Sequence, residues 1–361
     1  MGKLPMILSA AFAIHTSGEP FMRRRDFLTV LSLLVITSVS IRADETKPIR
    51  VGIIGVDTSH AIAFTKILNG PKATGDLAGI KVVAAFPVGS PDIESSRTRI
   101  DEYTRQLRDG GVEIVDSIPT LLQKVDAVLI ESVDGRPHLD QVRPVFAAGK
   151  PVFIDKPLAG SLVDALVIAE LGARYKVPWF SASALRFGPS VEKLKKDPKV
   201  GDILGCDAWS PCSLEKSHPD LFWYGIHGCE MLYAFMGTGC DTVTRTHTEG
   251  TDFVTGVWKD GRLGTFRGTR LGSHGYGAVV FGSKGNGDVL KFEGYEPLLE
   301  QIAIFLKTGK PPVTTDEMIE VMTFMETADE SKRQGGAAVK LEGVLNKARE
   351  EAKVKLQAVA N

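Results

Sequence analysis

The sequence predicts an α/β protein in two parts: a doubly wound parallel sheet, then an α+β domain with an open, mostly antiparallel sheet. Three observations carry this. Between residues 49 and 160, short apolar runs alternate with runs of helical period, the pattern of parallel strands joined by right-handed crossover helices. After residue 240 the period changes to short runs separated by turn signals, among them Asp260-Gly261, a favourable hairpin turn. The chain has 361 residues, 43% hydrophobic and 24% charged, enough for about two domains. A net charge of −1 provides no basic footprint for nucleic acid or anionic lipid.

The first 43 residues read as a targeting segment. Arg23-Arg24-Arg25-Asp26-Phe27-Leu28 leads into the apolar run Leu28–Ile41 and then Arg42-Ala43. A basic region, a short apolar region and a small residue at the break are signal-peptide anatomy. The Arg24-Arg25-x-Phe27-Leu28 arrangement looks like the twin-arginine type, a bacterial export address, and predicts a periplasmic protein. The apolar run is shorter than the ~20 residues that span a bilayer, so no membrane contact is expected after signal removal. Met22 stands directly before the arginines and is an alternative start.

A dinucleotide-binding domain is expected over residues 48–160. Ile49-Arg50-Val51-Gly52-Ile53-Ile54-Gly55 reads as a buried first strand, followed by Val56-Asp57-Thr58-Ser59-His60 and the helical run Ala61–Leu68. Strand, tight turn and helix make a Rossmann-type opening, with the pyrophosphate expected at the helix N-terminus. With Gly55 as first glycine, Asp57 and His60 occupy the other two glycine places. A carboxylate there opposes phosphate unless the loop turns Asp57 away; alternatively Asp57 is the helix N-cap. Thr58 and Ser59 offer hydroxyls. The second strand, Ile80–Phe86, ends in Phe86-Pro87 without the acid that would hold the ribose, and Asp92 and Glu94 come late. The alternation continues through helix Ile93–Leu107, strand Glu113–Val115, helix Pro119–Lys124 and strand Val125–Glu131. Then come Gly135-Arg136-Pro137-His138 and a helix to Ala148.

The next strand, Val152–Ile154, runs straight into Asp155-Lys156-Pro157 and a helix over Leu162–Tyr175. A charged residue at the carboxyl end of a parallel strand is where such sheets present chemistry. A solvated ion pair at the strand end is the plain alternative.

A substrate and oligomerisation domain is expected over residues 161–340. Phe180–Leu185 is a sixth strand candidate, and Arg186-Phe187-Gly188-Pro189 starts a helix. Strands are expected at Thr242–Glu249, Phe253–Trp258, Leu263–Arg270, Tyr276–Gly282 and Asp288–Phe292. Leu298, Ile302 and Phe305 mark one helix and Met318–Ser331 another. Residues 341–361 read as a surface helix, with Glu351–Lys355 in register for pairing and Glu350–Lys353 out of it. The scattered histidines show no zinc-ligand spacing, so no metal site is predicted; a cluster of Asp57, His60 and His227 would rest on no such spacing. Cys206, Cys212, Cys229 and Cys240 form no CxxC pair and are open to disulfides or to burial as free thiols. Arg186, His218, Arg267, Arg270 and His274 are polar residues that could line a cleft or simply face solvent.

In this order of motifs (the Gly55 turn, Pro137-His138, Ala148-Gly149-Lys150-Pro151-Val152 and Asp155-Lys156-Pro157-Leu158-Ala159) the chain resembles the Gfo/Idh/MocA family of glucose-fructose oxidoreductase and inositol dehydrogenase. The resemblance covers nearly all of residues 49–340. The family's Glu-Lys-Pro appears as Asp-Lys-Pro, and the family's second motif matches at Gly225 and His227, with Trp223 in place of an aspartate and Glu230 in place of another. The resemblance implies NAD or NADP bound by Gly55, Val56, Asp57, Thr58, Ser59, His60, Pro137, His138, Asp155 and Lys156. It implies that Lys156 and His227 form an acid–base pair acting on a sugar or cyclitol hydroxyl, with Tyr224 able to add a hydroxyl. It also implies a homo-oligomer built on the back of the second sheet. Asp57, His60, Trp223 and the absent ribose acid instead suit an exported carbohydrate- or ligand-binding protein with lost or altered nucleotide binding.

Overall fold

The computed structural model describes residues 47–359, so the targeting segment lies outside the described residues. The first sheet is built from β1 (Ile49–Ile54), α1 (Ser59–Asn69), β2 (Ile80–Phe86), α2 (Glu94–Asp109), β3 (Glu113–Ile114) and α3 (Ile118–Leu122). It continues with β4 (Ala127–Ile130), α4 (His138–Ala147), β5 (Val152–Ile154), α5 (Leu162–Tyr175) and β6 (Trp179–Ser181). Its strand order is β3-β2-β1-β4-β5-β6 and every pairing is parallel. The inner strands β4 and β5 are buried at every position, as strands covered by helices on both faces must be. The direction of winding changes between β1 and β4, which places the ligand crevice at their carboxyl ends. The sheet takes in α5 and β6, so this layer reaches Ser181 rather than ending at residue 160. The expected sixth strand stops at Ser181, and Ala184–Phe187 is a single 3₁₀ turn started by the Ser183 hydroxyl.

The second part runs through α6 (Pro189–Lys195), β7 (Ile203–Pro211), α7 (Asp220–Trp223), α8 (Ile226–Met236), β8 (Cys240–His247), β9 (Thr251–Trp258) and β10 (Leu263–Thr269). It is completed by β11 (Gly277–Gly282), β12 (Asn286–Val289), α9 (Glu296–Thr308), α10 (Thr315–Arg333), β13 (Val339–Lys340) and α11 (Leu341–Val359). Seven strands pair in the order β12-β11-β7-β10-β9-β8-β13. All neighbours are antiparallel except β7 and β10. Strand β7 escaped the sequence reading because Gly205, Asp207 and Pro211 dilute its β signal. Its buried positions Cys206, Ala208 and Ser210 are small, and α8 packs against them. Close approach is enforced at Gly228, where a Cβ would run into the Phe266 ring. Helix α8 is buried at all eleven positions rather than amphipathic. All four cysteines are buried and free.

The other face of this sheet is open. Phe253, Val257, Leu263 and Phe281 are exposed large apolar residues on β9, β10 and β11. Arg267 lies on this face, over the Phe253 ring at 5.2 Å, and not in a cleft. Helix α11 rests on α5 through buried Ala348 and Ala352. Its expected pairing is revised: Lys353 reaches Glu350 at 2.6 Å and Lys355 reaches Asp164 on α5. No described helix is long and apolar enough to cross a membrane.

Arg245 on β8 is fully buried among Asp252 (2.7 Å), Asp220 (2.8 Å) and Asp329, tying the sheet to α7 and α10. Arg270 joins this cluster through Asp252, which removes it from any cleft. Removing one member of a buried ion cluster leaves the others uncompensated. Arg245→Met should therefore lower unfolding free energy by about 3–5 kcal/mol in urea titrations.

Candidate active site

Three neighbouring strands deliver charged side chains to one edge. Glu131 follows β4 directly, and its N–H is fixed on the Ile54 carbonyl at 2.7 Å. Asp155 follows β5, with its N–H on the Ile130 carbonyl at 2.8 Å. Lys156 comes next, 8% exposed, and the Lys156–Pro157 peptide is cis. His60, in the first turn of α1, places Nδ1 2.6 Å from Asp155 Oδ2. Asp155 Oδ1 accepts from the Lys156 N–H at 2.8 Å. Burial would raise the Asp155 carboxyl, but the charge and hydrogen bond of His60 and the charge of Lys156 hold it below its ordinary value.

The second domain closes on this edge from α8. His227 stands in the first turn of α8, and its Nδ1 lies 2.8 Å from Ser183 Oγ. The rings of Tyr224 and Tyr276 meet it edge-on at 5.1 and 5.8 Å. Lys156 Nζ sits over the Tyr224 ring, 5.6 Å from its centre. Phe292 and Tyr295 continue the wall, with Tyr295 4.8 Å from the His60 ring. Burial pushes the Tyr276 phenol up, helped by its hydrogen bond to Tyr224. Thus the predicted Lys156, His227 and Tyr224 come together. Glu131, Ser183, Tyr276, Phe292 and Tyr295 were not singled out in the sequence. Glu131 and Ser183 carried a signal, since each directly follows or closely trails a strand of the parallel sheet.

The remaining candidates divide. Glu230 does not face the pair; it holds buried Arg186 at 2.6 Å, which also reaches Glu317 at 2.5 Å. Trp223 packs on His218, 5.0 Å between ring centres. His274 meets Thr269 Oγ1 at 3.3 Å. His138 is fully buried, with its two ring nitrogens against the Ser132 and Leu158 carbonyls at 3.0 and 3.2 Å. It stitches the loop after β4 to the segment after β5.

The Gly55 turn departs from a phosphate cradle in a specific way. Gly55 takes φ +86°, and a Cβ there would strike the Ser132 backbone. Thr58, not Asp57, is the N-cap of α1, accepting from the N–H groups of His60 (3.2 Å) and Ala61 (3.4 Å). Asp57 is turned inward, accepting from Ser96 Oγ at 2.6 Å and the Val133 N–H at 3.0 Å. This orientation also removes it from any shared metal cluster with His60 and His227. Burial raises its carboxyl despite those two bonds. Ser59 alone in the turn is exposed and offers a hydroxyl. Beyond it, Ser90 Oγ donates to Asp134 at 2.5 Å, and Arg136 bridges Asp134 (2.7 Å) and Asp92 (2.9 Å). His218 closes on Asp134 from the second domain at 3.0 Å. Although burial opposes it, these hydrogen bonds hold Asp134 well below the carboxylate range.

A family profile described as "oxidoreductase family, NAD-binding Rossmann fold", Gfo/Idh/MocA, matches residues 49–182. Over this domain the chain is similar to the Gfo/Idh/MocA family. Among curated relatives, the rhizopine catabolism protein MocA of Rhizobium meliloti is 26% identical over 144 residues, 39% of this chain and 45% of that protein. An inositol 2-dehydrogenase of Cereibacter sphaeroides is 31% identical over 125 residues, 34% of this chain and 32% of that protein. The matched stretch is thus less than half of either relative. The fold is shared more widely. The scyllo-inositol dehydrogenase of Lactobacillus casei, solved with NAD(H) and scyllo-inositol, superposes with a TM-score of 0.66 at 17% identity, covering 82% of this chain and 100% of that one.

Burial, and then the charges of Lys156 and His60, push His227 well below the ordinary imidazole value of 6.5. Burial also lowers His138. The unfolded chain binds protons at these imidazoles below pH 6.5 while the folded chain does not. Their contribution to stability is therefore full above pH 6.5 and falls as pH drops below it. Unfolding curves recorded from pH 7.5 down to about 5 should show a shallower loss in His227→Gln than in the parent chain.

Proposed function

We propose that the protein is a nicotinamide-dependent oxidoreductase acting on a sugar or cyclitol hydroxyl. The observation that carries this is the convergence of buried Lys156 and His227, from the two domains, at the carboxyl edge of the parallel sheet. The relatives named for inositol oxidation support the substrate class, as does a wall of Tyr224, Tyr276 and Phe292, since pockets for small organic ligands are mostly apolar with few polar groups.

NAD or NADP would be held by the Gly55–His60 turn and, at its reactive end, by Asp155 and Lys156. A bound nicotinamide supplies the hydride acceptor. Part of the turn suits such a cofactor: Asp57 turns its carboxyl inward onto Ser96 and Val133, and Ser59 presents an exposed hydroxyl toward an anion. Toward the ribose end, the Ser90–Asp134–Arg136–Asp92 chain joins the loops after β2 and β4 and must part for adenosine to enter. That chain is the specific observation favouring the second reading, an exported ligand-binding protein with altered nucleotide binding.

In the first reading Ser183 Oγ holds His227 Nδ1 at 2.8 Å, and the tautomer with the proton on Nδ1 leaves a lone pair on Nε2. In that tautomer Nε2 would take the substrate hydroxyl proton, while a bound nicotinamide would supply the acceptor for the carbinol hydride. The Lys156 ammonium hydrogen-bonds the same oxygen while negative charge develops on it. The alcohol thereby becomes a carbonyl compound, its proton on the imidazole and its hydride on the nicotinamide, and burial of the imidazole favours return of the proton to solvent.

Export to the periplasm is inferred from the Arg24-Arg25-x-Phe27-Leu28 segment, and the twin-arginine route carries proteins folded around a cofactor. A homo-oligomer is inferred from the open apolar face of the second sheet, since a stable interface of about 1,200–2,000 Å² is needed. Leu263→Asp should shift the mass measured by light scattering toward the monomer.

Nucleotide released on denaturing protein folded in its own cytoplasm should be stoichiometric NAD(H) or NADP(H). Lys156→Met should lose about 10²–10⁴-fold in turnover of a polyol that the parent chain oxidises. Empty protein with no thermal shift in millimolar dinucleotide would leave the ligand-binding reading.

A further inference from the structure

The carboxyl edge holds more charge than hydride transfer uses. Glu131 is fully buried, and neither of its carboxylate oxygens has a hydrogen-bond partner. A buried carboxylate without a partner is costly unless it is protonated or binds a cation. Lys156, the nearby cation, does not satisfy it; its ammonium is turned onto the Tyr224 ring. Burial and the neighbouring Asp155 charge push the Glu131 carboxyl well up, only partly opposed by Lys156.

Two further donors stand beside it. One donor atom from each of His60, Glu131 and Asp155 lies within 4.8 Å of the others, and all three residues are buried. They come from the first turn of α1 and from the ends of β4 and β5, so backbone bonds of β1, β4 and β5 fix their spacing.

We infer that His60, Glu131 and Asp155 form a binding site for one divalent transition-metal ion. An imidazole with two carboxylates is a borderline-hard donor set, suited to zinc, manganese or iron and less to calcium, which prefers six to eight oxygens. Three protein ligands leave a coordination position for water or a substrate oxygen, as in catalytic rather than structural sites. The ion would separate His60 Nδ1 from Asp155 Oδ2, now 2.6 Å apart, or use the other imidazole nitrogen. The site uses neither Lys156 nor His227, but it shares His60 and Asp155 with the nucleotide-holding residues of the proposed function.

The test uses the full chain after chelator treatment and dialysis. Titration calorimetry with Mn²⁺ and with Zn²⁺ should give one ion per chain for at least one of them, with a raised melting temperature. Co²⁺ should give visible d–d bands of a nitrogen–oxygen site. Glu131→Gln, which keeps the volume and removes the charge, should weaken binding by more than about 100-fold, above the 10–100-fold cost of losing an outer-shell partner. His60→Ala should weaken it and shift the Co²⁺ bands. Absence of heat, thermal shift and Co²⁺ bands in the parent chain would overturn the site, leaving Glu131 as a buried neutral acid. Undiminished binding in a folded Glu131→Gln or His60→Ala protein would overturn it as well. Should Glu131→Gln fail to fold, the His60→Ala titration decides. Nucleotide release is measured separately, so loss of one reading leaves the other intact.

Discussion

The carboxylate of Asp155 is the constraint on which the site depends. It is buried at the end of β5, where it reaches across to His60 on α1 and back to the N–H of Lys156. One side chain thereby sets the position of the helix that would meet an anion and the direction in which the lysine leaves the strand. An asparagine would keep the shape but not the charge that balances His60 and Lys156 in a medium where charges interact strongly. The lysine then has one open direction, toward the aromatic wall delivered by the second domain.

The Gly55 turn shows a different solution to the same packing problem. In a phosphate cradle the second glycine leaves room for the ligand. Here Asp57 fills that place and spends its acceptor capacity on Ser96 and Val133, holding together the segments after β2 and β4. Thr58 takes over the capping role and satisfies two of the N–H groups that a phosphate would otherwise meet. The loops around the turn are thus held by internal polar bonds.

Much of this was legible in the sequence because the two periods differ so clearly. The unbroken run Val152–Ile154 and the alternation before it specify a parallel sheet, and Lys156 falls where such sheets present chemistry. What was illegible depended on partners distant in the chain. Strand β7 reads weakly because the positions facing α8 must be small, and small residues do not announce a strand. Asp57 could be read as cap or phosphate neighbour; only the position of Ser96, thirty-nine residues later, decides which way it turns. Glu350 and Lys353 pair at three residues' spacing because Asp164, on another helix, claims Lys355. Glu131 looked like the polar end of a strand, and its isolation becomes visible only when the neighbouring strand ends are in place.

Helices α10 and α11 both lean on α5, and the Ser181 N–H of β6 donates to the Met318 sulfur at 3.0 Å. The same two helices pack on β8 of the second sheet. They are thus shared by both domains. Swinging the domains apart would peel apolar helix faces into water, whereas parting the polar bridge of Arg136 and Asp92 exposes groups already near solvent. Separation of the domains is therefore opposed by buried apolar contact, and the half-exposed Arg136–Asp92 bridge is the contact whose opening uncovers least.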